Sequence, residues 1–145
     1  MSYANWKHYA TAVVFMMILD GLWIGLYFGG QYQVMLKQIQ KGDPMEARAQ
    51  FFPIAYFAMI IGLCGITIPS IDPNNLWPTI LRYGTFLGFA IYGTYAFTCA
   101  SIFKNFDPWI AVQDTVWGTF LYTILPYLAF TFFKTETQAG RQLND

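Results

Sequence analysis

The chain has 145 residues, 56% of them hydrophobic and 11% charged, with eight basic and eight acidic side chains. Soluble domains carry about a quarter charged residues, so this composition argues against a soluble globular fold. A formal net charge of zero, with no basic stretch, argues against a nucleic-acid partner.

A membrane-spanning helix needs roughly 20 mostly apolar residues, and four segments qualify, at about 9–30, 51–68, 78–101 and 109–133. Backbone polar groups cannot stay unpaired in hydrocarbon, so these segments are helices. The predicted fold is all-α: one transmembrane domain, an integral membrane four-helix bundle with both termini on the same side. The first run is too long for a cleaved signal peptide and lacks the small-residue cleavage pattern, so it is expected to insert and stay. Tyr9, Trp77 and Trp109 stand where interfacial anchors belong. His8, near the start of the first helix, is expected at the interface as a surface residue.

Between the first two spans, Tyr32, Met35, Leu36 and Ile39 follow i, i+3, i+4, i+7 spacing. Segment 31–41 therefore reads as an amphipathic helix lying on the membrane surface, or as the first span continuing beyond it, with Gly42 ending it. Asp43-Pro44, Asp72-Pro73 and Asp107-Pro108 each precede a predicted helix, as capping aspartate and first-turn proline do. Glu46 would complete a capping box with Asp43. Pro126 predicts a kink in the fourth helix, and the tail 134–145 is polar and expected to be loosely ordered. Lys7, Arg82, Lys134 and Arg141 fall on one side, and Lys37, Lys41, Arg48 and Lys104 on the other. The positive-inside rule therefore leaves the orientation open.

Gly21, Gly25 and Gly29 form a ridge on the first helix, and Gly84 and Gly88 one on the third. Small residues at this spacing let helices approach closely, either within the bundle or as a self-association or partner-docking face. Cys64 and Cys99 fall towards opposite membrane faces, too far apart for a disulfide.

Most of the acids are caps or belong to the tail; Asp20 and Asp114 lie within spans, where ionisable groups are costly and suggest function. Asp20 with Trp23, and Asp114 with Trp117, have the i, i+3 spacing that places acid and indole on one helix face. Tyr27 continues the first of these faces. On the third helix, Tyr92 and Tyr95 share a face with Gly88. At 1.5 Å per residue, Asp20 lies roughly 15 Å and Asp114 roughly 7 Å from the helix ends on the side of the first and third loops. Tyr56 and Tyr95 fall in the same half. Asp20, Trp23, Tyr27, Tyr92, Tyr95, Asp114 and Trp117 are therefore the candidates for a polar core or ligand site, with Asp114 expected to accept a hydrogen bond from a Trp or Tyr of another helix. No metal constellation, nucleophilic triad or phosphate loop is present, and no cofactor is predicted.

Leu19-Asp20-Gly21-Leu22-Trp23, Tyr92-Gly93-Thr94-Tyr95 and Asp114-Thr115-Val116-Trp117-Gly118-Thr119 resemble the signatures of a family of small bacterial inner-membrane proteins, domain of unknown function 2177. The resemblance spans nearly the whole chain. It implies a four-helix protein of a bacterial or organellar inner membrane and supplies no established activity. Ala96 and Cys99 stand where the family pattern leads one to expect Asp and Asn.

The leading functional expectation is a non-enzymatic membrane protein with a packed polar core, acting in a homo-oligomer or with other membrane subunits, in contact with the lipid bilayer. The alternative is a transporter or channel component that handles a proton or small solute through Asp20 and Asp114. A third is a membrane enzyme acting on a lipid or isoprenoid.

Overall fold

A computed structural model describes residues 3–43 and 48–133. Four helices long and apolar enough to cross a membrane follow one another: α1 (Trp6–Ile39), α2 (Ala49–Ser70), α3 (Pro73–Ile102) and α4 (Pro108–Phe132). The described residues contain no strand. Three of the four run further than the apolar runs suggested, α1 chiefly at its C-terminal end and α3 at its capped start, while α4 keeps the expected length and begins one residue earlier. Glu46, the second member of the expected capping box with Asp43, and the tail 134–145 lie outside the described residues.

Capping chemistry sets the helix starts. Asp72 accepts from the Asn74 backbone N–H at 2.9 Å and Asp107 from that of Trp109 at 2.8 Å, each with proline in the first turn. At the start of α1, Asn5 accepts from the Lys7 N–H at 3.1 Å and donates its own N–H to His8 Nδ1 at 3.1 Å. His8 thereby completes a cap. It is 2% exposed, with its ring 4.3 Å from that of Phe130, so the expectation of a surface histidine is corrected. A ring whose Nδ1 is engaged in a cap can be buried where an exposed position was expected.

α1 passes without a break through a π-helical turn at Ile24–Phe28 and ends at Ile39, and the turn after it closes at Gly42, whose φ is +106°. Its 34 residues span about 51 Å, well beyond a ~30 Å hydrocarbon core. Of the two readings of segment 31–41, the continuing helix is the one observed. Its apolar stripe does not lie on a membrane surface. Met35 is buried with Phe28, Ala96, Phe106, Ile110 and Ala111, and Tyr32, Leu36 and Ile39 pack against this group.

The main core lies at the other end of the bundle. Met16, Leu63, Ile68, Ile80, Leu121, Tyr122 and Leu125 are fully buried there. Glycines decide which helices meet. A Cβ on Gly88 would sit 2.5 Å from the Gly118 carbonyl oxygen and 2.7 Å from Tyr122 Cβ, and one on Gly84 would strike the Tyr122 carbonyl. α3 and α4 therefore touch backbone to backbone. Gly21 and Gly25 behave differently, because a Cβ on either would meet nothing within 4 Å. The atoms nearest a Cβ on Gly29 belong to Ile24 of its own helix. Among the described residues, nothing packs against the α1 ridge at Gly21 and Gly25.

Four crossings predict that both termini share one side of the membrane and that the loop after α1 lies on the other. Single cysteines at Lys41 and Gln138, in a chain lacking Cys64 and Cys99, should be labelled by impermeant maleimide from opposite sides. Labelling of both from one side would refute the topology.

Candidate functional site: an intramembrane polar cluster

α1, α2 and α4 converge on one carboxylate. Asp20 is 5% exposed and accepts from Tyr56 Oη at 2.7 Å and from Trp117 Nε1 at 3.0 Å. Each oxygen has one donor, from α2 and α4 respectively, so a single acid ties three helices together. A buried carboxylate needs such donors, since transfer to an apolar medium is costly without them.

Trp117 had been expected to share its helix face with Asp114. It crosses to Asp20 instead, and its ring stacks on Trp23 with centroids 4.5 Å apart and planes 5° from parallel. Tyr27 leans on Trp23 at 4.8 Å. Asp20, Trp23, Tyr27 and Trp117 are thus brought together, and the stack uses the shared face of Asp20 and Trp23 on α1. The buried Nε1 of Trp23 has no hydrogen-bond partner among the described residues.

Asp114 is half-buried one turn nearer the start of α4 and accepts no hydrogen bond among the described residues, contrary to expectation. It lies within electrostatic reach of Asp20 and of Tyr32, Tyr92 and Tyr95. Tyr95 and Asp114 therefore occupy the same side of the bundle. The Tyr95 hydroxyl pairs with that of Tyr32 at 3.3 Å. Next to Asp114 in sequence, Gln113 donates to Gln31 Oε1 at 3.2 Å, and its own buried Oε1 has no partner among the described residues.

Tyr92 belongs to the edge of this cluster. Its hydroxyl reaches Met59 Sδ at 3.2 Å, and its ring lies over Gly118. Ala96, where the resemblance leads one to expect an acid, is buried among Phe28, Phe106 and Ile110. An apolar side chain suits that surrounding.

Sequence reasoning missed Gln31, Tyr32 and Gln113 as members. The first two lie beyond the apolar run that defined the first span, so they were read as interfacial. Gln113 adjoins Asp114 but carries no charge to mark it. Tyr56 was placed at the correct depth, with nothing to single it out as a donor. Among the described residues no group of three His, Cys, Asp or Glu side chains is arranged to hold a metal ion.

The arrangement combines a neutral-donor clamp on one acid with a second acid that no donor satisfies among the described residues. The first fixes helix positions. The second has the capacity to exchange a proton or to hold a polar or cationic group.

Comparison with curated proteins and with solved structures finds no match. A family model described as a predicted membrane protein (DUF2177) matches residues 5–131, from the cap of α1 almost to the end of α4. The chain is a member of this family of predicted membrane proteins.

Proposed function

We propose that the chain is a small transporter or channel component that takes a proton or small polar solute at Asp114. The observation that carries this reading is a carboxylate inside a spanning helix with no protein donor among the described residues. Such a group is too costly to leave facing hydrocarbon, so it must meet something polar. Tyr32, Tyr95, the Trp23 indole nitrogen and the Gln113 carbonyl oxygen supply further polar groups in the same half of the bundle. The two tyrosine hydroxyls pair with each other, whereas a purely structural polar core would also have paired the indole nitrogen and the Gln113 oxygen. Asp20 supports the site by holding its helices in register.

Reconstitution in vesicles containing a pH-sensitive dye tests this. Wild-type protein should dissipate an imposed pH gradient, and Asp114→Asn, which keeps the shape and loses the charge, should fall to the level of empty vesicles. Wild-type protein without proton flux, or an Asn variant as active as wild type, would count against proton handling.

A second reading has its own support. Gly21 and Gly25 form an outward ridge that no part of the bundle covers, which suits a subunit that self-associates or docks against another membrane protein through α1. Gly25→Leu should then reduce oligomer size in mild detergent while leaving the melting temperature of the bundle unchanged. An unaltered oligomer size would remove this reading.

A further inference from the structure

Three of the four helices contain a π-helical turn, at Ile24–Phe28 in α1, Gly62–Thr67 in α2 and Leu81–Thr85 in α3. The turns of α2 and α3 are fastened to each other. The Thr67 hydroxyl donates to the Tyr83 carbonyl at 2.9 Å, and Gly84 lies against the α4 backbone. The turn in α1 is bare over most of its surface: Ile24, Gly25, Leu26 and Tyr27 are exposed, and only Phe28 is buried.

Glycine allows this turn to be wound as it is. The Gly29 N–H donates to the Ile24 carbonyl, five residues back, and a Cβ on Gly29 would sit 2.5 Å from that oxygen. A π-helical turn holds one residue more than an α-helical one. Closing the same carbonyl on the Phe28 N–H therefore turns everything beyond it by one residue, about 100°. Each side chain then takes the seat of its successor.

The sequence beyond the turn suits both registers. In the one observed, Tyr32 pairs with Tyr95, Gln31 pairs with Gln113, and Met35 and Leu36 pack in the apolar group around Phe106. In the other, Val34, which is 64% exposed here, takes the seat of Met35, and Met35 takes that of Leu36. Gln31 replaces Tyr32 opposite Tyr95, and Gln38 replaces Ile39 at the helix end. The seat of Gln31 passes to Gly30 and is left empty. That seat faces Gln113, the neighbour of Asp114 in sequence, on the loop side of the turn.

We propose that the π-helical turn of α1 is a register switch, in which a one-residue rotation of segment 29–39 exchanges Gln31 for Gly30 and opens the Asp114 cluster towards the loop after α1. The use of that opening rests on the reading of Asp114 as a working site; the rotation itself does not.

Disulfide trapping in lipid nanodiscs reads the register. In a chain lacking Cys64 and Cys99, Gln31→Cys with Gln113→Cys should cross-link readily, and Gly30→Cys with Gln113→Cys more slowly but measurably. Adding Gly29→Ala, which crowds the Ile24 carbonyl, should shift the ratio several-fold towards the second pair. A ratio that Gly29→Ala leaves unchanged would overturn the switch. Should that variant fail to fold, the glycine background decides, because no cross-link between positions 30 and 113 means a single fixed winding. Access is read separately, from the rate at which a water-soluble maleimide labels Asp114→Cys in the same background. Gly29→Ala should raise that rate several-fold, and adding Gly30→Gln, which refills the empty seat in the rotated register, should return it to the parent rate. A Cβ at position 30 meets nothing within 4 Å in the observed register, so the longer side chain fits there. No rise in rate, or a double variant as fast as Gly29→Ala alone, would overturn the opening. Neither readout depends on transport: exchanging registers without proton flux would support the switch and remove the transport reading.

Discussion

Gly118→Ala should lower the stability of the bundle in mild detergent by about 1–3 kcal/mol or more, the range for overpacking a filled core. A Cβ at this position would fall on the ring of Tyr92. That ring has nowhere to go: it packs edge-on against Tyr122 with centroids 6.4 Å apart, and its hydroxyl is held at Met59 Sδ. The two backbones must separate instead, and the Gly88–Gly118 contact opens with them. Gly21→Ala makes a clean contrast. Nothing lies within 4 Å of the added Cβ, and alanine is favoured over glycine inside a helix by about 0.5–1 kcal/mol. Thermal unfolding of the two variants beside wild type checks both signs. Equal loss in the two, or no loss in Gly118→Ala, would show that the α3–α4 seam does not hold the bundle.

The positions and number of the spans were legible because hydrophobic length is a direct physical requirement of the bilayer. Helix starts at Asp72-Pro73 and Asp107-Pro108 were equally legible, since capping is local chemistry. Which glycine ridge packs was not. Gly21-x-x-x-Gly25 and Gly84-x-x-x-Gly88 are the same pattern, and only the neighbour's position separates a buried ridge from a bare one. Gly118, the tightest of the described glycines, stands alone in α4 without a repeat to announce it. The stripe at Tyr32, Met35, Leu36 and Ile39 was recognised as amphipathic, but periodicity states that a face is apolar and not whether protein or lipid covers it.

The site divides in a similar way. Two acids inside spans mark it through their cost alone, and the gathering of polar residues in one half follows from counting rise per residue. Pairing does not follow from such counting. Acid and indole three residues apart share a face, which suggested that each Asp would be served beside its own Trp. The rotation of α4 against α1 instead places Trp117 on Asp20 and stacks the two indoles. That rotation is a property of how whole helices pack, which residue spacing within one helix does not disclose. Hence the hydrogen bond expected at Asp114 is found at Asp20 instead.

Asp20→Leu should destabilise the bundle by about 1–3 kcal/mol, taking roughly 0.6–1.7 kcal/mol for each interhelical hydrogen bond in a membrane, whereas Asp114→Leu should leave stability nearly unchanged. Leucine at 20 strands the Tyr56 hydroxyl and the Trp117 indole N–H, both directed at the lost carboxylate. Relief from burying a charge does not reverse the sign, because Asp20 lies in a spanning segment and remains in the membrane when the helices separate. That term is largely common to both states, and the stranded donors decide. Asp20→Asn should fall between, since its amide oxygen serves one donor while its NH₂ opposes the other. A double-mutant cycle of Asp20→Leu with Tyr56→Phe isolates one bond, and its coupling should fall in the same 0.6–1.7 kcal/mol range. Asp114 has no partner to strand among the described residues, so on the transport reading its replacement by leucine should remove proton or solute handling without loosening the helices. Opposite phenotypes at the two acids, stability at 20 and activity at 114, are the signature of a clamp beside a working site. Equal destabilisation at both positions would instead make the pair one structural network and withdraw the transport reading.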